Sequence, residues 1–256
     1  MSRISKLFSE KKKNILNVYC TAGYPGLENT VTVLHALEKY GADMVEIGMP
    51  YSDPLADGPV IQQSSTIALN NGMTIQKLFE QLEEGRKEIN IPVILMGYMN
   101  PVLQYGFERF CEQAAKVGVD GLILPDLPLY EFEIEYGPII KKYGLDFIFL
   151  VTPETSEERV RKIDALTTGF IYAVSSSSTT GNNKEIDQQD SYFLKLRGMN
   201  LGNPVLVGFG IKDKHTFQVA CRHSNGAIIG SAYINALSGA TGVEEATQQF
   251  LDKILR

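Results

Sequence analysis

The stretch Gly118-Val119-Asp120-Gly121-Leu122-Ile123-Leu124 joins the end of one helical pattern to the start of an unbroken apolar run. Glycine just past a helix supplies the left-handed residue that stops it, and the chain then enters a strand. The same joint recurs as Gly41-Ala42-Asp43 and as Gly144-Leu145-Asp146. One small unit repeated in this way points to successive right-handed βαβ crossovers.

Working outward, short apolar runs occur at Ile15–Cys20, Asp43–Ile47, Pro92–Gly97, Gly121–Leu124, Leu145–Val151, Phe170–Val174, Pro204–Val207 and Ala227–Ile229. Most are continuous, as strands covered on both faces should be. Helical patterns lie between them, among them Thr30–Tyr40, Phe107–Val117, Ser156–Leu166 and Lys212–Arg222. Thr155 and Glu158 have capping-box spacing for the third of these. Eight runs at about 32 residues per unit predict a closed (β/α)₈ barrel, the TIM-barrel class of α/β fold. An open doubly wound sheet is the alternative, because strand count is the one discriminator and the last run is short. Ile4, Leu7 and Phe8 fall at helical spacing and predict a short extra N-terminal helix closing one end of the core. No linker-like tract interrupts the chain, so 1–256 is read as a single domain.

The balance of charge narrows the function. A net charge of −6 argues against a general nucleic-acid binder. Lys11-Lys12-Lys13, placed on the N-terminal helix, reads as a solvated face. Cys20, Cys111 and Cys221 are scattered and odd in number, which suits a reducing compartment and neither a disulfide framework nor a zinc site. No secretory h-region or membrane-length apolar stretch is present, so the expected location is the cytoplasm.

Barrel enzymes place their chemistry where strands end and the following loops begin. His35, His215 and His223 sit on helical patterns, which disfavours a catalytic triad or a histidine-rich metal site. No lysine ends a strand, so Schiff-base chemistry lacks its nucleophile. Asp53 with Asp57 on one loop leaves a Mg²⁺ alternative; the main reading has no metal.

Glu46 remains, set in the otherwise apolar Val45-Glu46-Ile47-Gly48. A carboxyl group there is either a structural acceptor in the barrel mouth or a general acid/base with its pKa raised by apolar surroundings. Pro50, Pro54 and Pro59 stiffen the loop that follows and give Asp57 a defined position. Asp57 can be a functional acid or the cap of a helix over Val60–Asn70. Thr179-Thr180-Gly181, Gly208-Phe209-Gly210 and Gly230-Ser231 follow the sixth, seventh and eighth runs. Glycines there either turn corners or let backbone amides approach a phosphate, with the Ser231 hydroxyl as a further donor.

Glu46-Ile47-Gly48-Met49-Pro50-Tyr51-Ser52-Asp53-Pro54-Leu55-Ala56-Asp57-Gly58-Pro59 resembles, almost residue for residue, the signature of the tryptophan synthase α subunits. The resemblance continues through Met99-Asn100-Pro101, Asp126-Leu127-Pro128, Ser175 to Gly181, Val207 to Ile211 and Gly230-Ser231, covering nearly the whole chain. It implies a carbon–carbon lyase that cleaves indole-3-glycerol phosphate to indole and glyceraldehyde 3-phosphate. Glu46 would protonate the indole ring at C3 and take the hydroxyl proton, and Asp57 would face the indole N–H. Gly181, Gly210, Gly230 and Ser231 would hold the phosphate. Tyr19, Ile61, Tyr98, Tyr172, Thr180 and Phe209 would form the substrate pocket. The implied partner is a β subunit in an α₂β₂ tetramer, to which indole passes for tryptophan synthesis. The implied cofactor set is none in this chain, with pyridoxal phosphate held by the β subunit.

One departure stands out. Ser175-Ser176-Ser177-Ser178 replaces a segment in which much of the family carries Arg and Gly, so the detailed lid contacts differ. Ser178–Asp190 is polar and long for a β–α connection, which predicts a lid over the site. The loop 50–59 and the segment 99–104 are placed on one barrel face, where a β subunit would dock. Two rivals remain: another phosphosugar isomerase or synthase on this barrel, and a subunit that acts chiefly by regulating its partner.

Overall fold

The computed structural model describes residues 1–174, 185–208 and 210–256, the side chains of 185–190 excepted. The strands are β1 Ile15–Thr21, β2 Met44–Gly48, β3 Val93–Met96, β4 Gly121–Ile123, β5 in two halves, Asp146–Phe147 and Leu150–Val151, β6 Ile171–Val174, β7 Val205–Gly208 and β8 Gly226–Ile229. All pair in parallel.

The interruption of β5 is what closes the barrel. The run Leu145–Val151 is expected as one continuous strand, but its first half pairs with β4 (Asp146 opposite Gly121) and its second with β6 (Leu150 opposite Tyr172). The handover falls at the middle: the Ile148 amide donates to Leu122 O, and Phe149 O accepts from the Tyr172 amide. The nine hydrogen-bonded segments are therefore eight strands of one closed parallel sheet.

Around it lie α1 Arg3–Glu10, α2 Asn29–Tyr40, α3 Pro59–Asn70, α4 Ile75–Gly85, α5 Met99–Tyr105, α6 Phe107–Lys116, α7 Gly137–Lys142, α8 Glu157–Leu166, α9 Glu185–Gly198, α10 Lys214–His223, α11 Ser231–Leu237 and α12 Val243–Leu255. A π-helical stretch, Phe132–Tyr136, leads into α7. Among the described residues no helix is long and apolar enough to cross a membrane.

Gly41, Gly118 and Gly144 take φ of 105°, 83° and 69°, the left-handed conformation the joints require. The aspartates of those joints anchor the N-terminal segment. Asp43 pairs with Lys11 at 2.6 Å, Asp120 with Arg3 at 2.9 Å, and Asp146 accepts from the Ser2 hydroxyl at 2.5 Å. That positions α1 across the strand N-termini, where Ile4 and Phe8 join Ile15, Met44, Ile94, Ile123, Ile148, Phe170, Leu206 and Ile228 in the barrel's inner core. The lysine run lies after α1 rather than on it, and Lys11 is paired instead of merely solvated.

Two capping expectations are corrected. Ser156, not Thr155, caps α8 by accepting from the Arg159 amide, while the Thr155 hydroxyl accepts from the Thr152 amide in the preceding turn. Helix α3 starts at Pro59 with Gly58 as its cap and no side-chain cap bond, so Asp57 does not cap it.

Candidate active site

Side chains of even and odd position alternate across each strand. The inner face therefore receives Asn17 and Tyr19 from β1, Glu46 and Gly48 from β2, Met96 from β3, Tyr172 from β6 and Ile228 from β8. Tyr19 stands directly opposite Glu46 in the β1–β2 ladder. Glu46 is 1% exposed, and Asn17 Nδ2 donates to its Oε2 at 3.1 Å.

Burial pushes the Glu46 carboxyl up to about 8; the Asn17 hydrogen bond opposes the rise and the nearby Asp57 charge adds to it. A group poised near neutral pH can both give and take a proton. Asp57 is half-buried, and burial raises its pKa against the lowering effect of the Tyr98 hydroxyl. The phenols of Tyr19 and Tyr172 are held protonated, first by burial and then by the carboxylates, Asp57 for Tyr19 and Glu46 for Tyr172.

The loop after β2 has fixed geometry. Ala56 N–H donates to the Tyr98 hydroxyl at 3.1 Å, Asp57 N–H donates to Pro54 O, and Gln62 Nε2 donates to Asp57 O at 2.8 Å. The Tyr51 and Tyr98 rings pack 5.4 Å apart, and Asn100 Nδ2 donates to the Tyr51 hydroxyl. Asp53 is exposed and accepts from the Ser52 hydroxyl. Among the described residues no group of three or more His, Cys, Asp or Glu could hold a metal ion.

A cavity of about 310 Å³ opens at the C-terminal ends of the strands. It brings together Glu46, Asp57, Tyr19, Ile61, Tyr172, Gly210, Gly230 and Ser231. Tyr98 reaches the site through Asp57: its hydroxyl hydrogen-bonds to the Asp57 carboxylate and accepts from the Ala56 amide of the same loop. Gly181, Thr180 and Phe209 lie outside the described residues, as does the first part of the expected lid. The expected irregular stretch to Asp190 is shorter than read, because the chain is helical from Glu185.

Met96, Ile211, Lys212, Ile228, Ala232 and Asn235 also line the cavity and were not picked out from sequence. Inward strand parity could have found Met96 and Ile228. Asn235 falls one helical turn after Ser231. Nothing in the sequence distinguished Lys212.

The glycines at strand ends do something beyond turning corners or meeting an anion. A Cβ at Gly48 would stand 1.9 Å from the Tyr19 hydroxyl oxygen, and one at Gly208 would stand 2.2 Å from a Tyr172 ring carbon. Both make room for the aromatic walls. Gly210, at φ 75°, is left-handed with open space around it.

Comparison with known proteins gives the family. A family model described as tryptophan synthase alpha chain matches residues 5–255. The tryptophan synthase alpha chain of Bacteroides thetaiotaomicron is 51% identical over 255 residues, covering 99% of this chain and 100% of that one. The crystal structure of tryptophan synthase subunit alpha from Legionella pneumophila superposes with a TM-score of 0.90 at 35% identity, covering 99% and 97% of the two chains. A chain of the tryptophan synthase complex from Pyrococcus furiosus gives 0.85 at 33% identity, covering 96% and 99%. The chain belongs to the tryptophan synthase alpha chain family.

Proposed function

We propose that Glu46 and Asp57 are the working pair with which this member of the family cleaves indole-3-glycerol phosphate to indole and glyceraldehyde 3-phosphate. The observation that carries the reading is a buried carboxyl group with a pKa near 8, sharing one cavity with a second carboxylate. In the retro-aldol step the side-chain hydroxyl loses a proton, its oxygen becomes the aldehyde, and the C3 side-chain bond breaks. Its electrons return to the ring through C3, which has already gained a proton, and neutralise the charge that this put on the ring nitrogen. Glu46 gives its proton to C3 and takes the hydroxyl proton as the bond breaks, so no net proton is consumed. Asp57 faces the indole N–H and stabilises the positive charge that develops there when C3 is protonated.

Tyr19, Ile61, Tyr172 and Met96 provide flat apolar walls for the ring. Gly210, Gly230 and Ser231 offer backbone and hydroxyl donors for the phosphate, with Gly181 as a further contributor from the sequence. The whole chain, 1–256, acts as one barrel domain without a cofactor of its own. Its partner is a β subunit carrying pyridoxal phosphate, docked on the face formed by the loop 50–59 and α5. That face presents Leu55 and Leu103, 94% and 47% exposed.

Indole release by purified protein from indole-3-glycerol phosphate, with and without a β subunit, tests the reading. Glu46→Gln is expected to lose on the order of 10²–10⁴-fold in turnover with ligand affinity within a few fold, because the amide keeps the size and transfers no proton. Asp57→Asn is expected to lose most of the activity but less completely, since the amide oxygen still accepts from the indole N–H. Turnover by E46Q above about one per cent of wild type overturns the acid/base assignment.

A further inference from the structure

Asn17 is fully buried on the inner face of β1, flanked in register by Met44 of β2 and Ile228 of β8. An amide in apolar surroundings is costly unless its polar atoms are engaged. Its Nδ2 is engaged, donating to Glu46 Oε2 at 3.1 Å, while its Oδ1 has no hydrogen-bond partner among the described residues. A structural amide satisfied by one fixed geometry would not leave its acceptor idle. An amide beside a group that changes protonation has a use for both ends: a carboxylate needs a donor, and a carboxylic acid needs an acceptor.

We propose that Asn17 is a positioning residue that serves Glu46 in both of its protonation states, through Nδ2 to the carboxylate and, after a half-turn of the amide, through Oδ1 to the carboxylic acid. The carboxyl group then keeps one orientation while its proton goes to the substrate and returns. Among the described residues the remaining titratable groups around Glu46 are Tyr19 and Cys20 of β1, Tyr172 of β6 and Asp57 of the loop after β2. Among the described residues Asn17 is the one side chain hydrogen-bonded to Glu46, so it is the polar partner placed to follow the carboxyl group.

The test compares Asn17→Val with Asn17→Thr, side chains of nearly the same shape of which only the second can both donate and accept. The protonated Glu46 band in the infrared spectrum, identified by its loss in E46Q, is followed against pH, together with the pH profile of kcat/KM. N17V is expected to move the protonated-Glu46 band to higher frequency, because the acid loses Oδ1 as its acceptor, and to raise the midpoint by well under one unit, because that acceptor is lost together with the stronger donor bond to the carboxylate. Its kcat/KM is expected to fall about tenfold, and N17T to recover most of these changes. An unmoved protonated-Glu46 band in N17V, or N17V and N17T behaving alike, overturns the proposal. Should N17V fail to fold, Asn17→Leu against N17T makes the same comparison. The inference rests on Glu46 as the acid/base, and the two fail separately: turnover by E46Q sinks that assignment, whereas the position of the infrared band judges Asn17 alone.

Discussion

Tyr19 lies over Gly48 so closely that a Cβ at position 48 would meet its hydroxyl oxygen at 1.9 Å and its Cζ at 2.4 Å. The strand that carries Glu46 is thus made narrow at its end to seat a ring supplied by β1. Gly48→Ala must push that ring into the cavity. It is expected to lower stability by about 1–3 kcal/mol and to raise KM for indole-3-glycerol phosphate. Thermal melts and steady-state kinetics check this; wild-type values for both would show that the ring has another place to go.

Glu46 links function to stability with a definite sign. Its folded pKa of about 8 lies above the ordinary carboxyl value of 4.5. Between those two values the unfolded chain has lost the proton that the folded chain keeps, so stability falls as pH rises through the window and levels off above it. Glu46→Gln carries no charge to desolvate. The variant is expected to be more stable than wild type, with a gap that grows from pH 5 to pH 8 and reaches on the order of 3 kcal/mol. Urea melts at both pH values measure it, and a constant gap would mean that burial of Glu46 carries no such cost.

The barrel was legible because its signals are local and repeated. Gly41, Gly118 and Gly144 end helices by a conformation that other residues avoid, and each joint then reads the same way. What the joints' aspartates do was not legible, since Lys11, Arg3 and Ser2 reach them only after the sheet has closed. Nor was the break in β5, which depends on two neighbouring strands rather than on any residue between Leu145 and Val151. In the site, Glu46 announced itself as a charge in an apolar strand. Asn17 did not, because an amide in a strand reads as an ordinary polar position until its neighbour across the ladder is known.

Lys212 is the one Lys or Arg among the described residues that lines the cavity. Its own backbone is held in place, with its N–H donating to the Thr216 hydroxyl at 3.1 Å. The adjacent Asp213 carboxylate is occupied by the Thr216 amide and hydroxyl, each at 2.8 Å, in a capping box at the start of α10. A phosphate ester entering a cavity that holds two carboxylates gains from a cation there. Lys212→Gln is expected to raise KM about two- to fivefold with little change in kcat, as suits an exposed charge. The difference should shrink as salt is raised from 20 to about 200 mM. A salt-independent or absent effect on KM would leave phosphate binding to the backbone amides and Ser231.

At the opposite end of the barrel, Arg86 and Asp120 form a buried ion pair, Nη2 to Oδ2 at 2.9 Å, with side chains 4% and 5% exposed. The guanidinium also donates to the carbonyls of Ile89, Ile91 and Gly118, and the Asp120 carboxylate accepts from the Val93 amide at 2.8 Å. Burial draws the Arg86 pKa down and Asp120 opposes it. Removing one partner leaves the other charge and several carbonyls without their bonds. Arg86→Met is therefore expected to cost about 3–5 kcal/mol. Arg3→Met, which removes the half-exposed second cation on Asp120, should cost no more than about 1 kcal/mol. Exchanging both partners together, as Arg86→Met with Asp120→Asn, should cost less than the two single changes added. The cluster sits at the strand N-termini, away from the cavity, so kcat per folded molecule should hold in all of these variants well below their melting temperatures. Denaturant melts and active-site-normalised kinetics separate the two quantities. A fall in kcat at unchanged stability would place Arg86 in communication with the site, and a loss below 1 kcal/mol would show that the pair can be dismantled without exposing its charges.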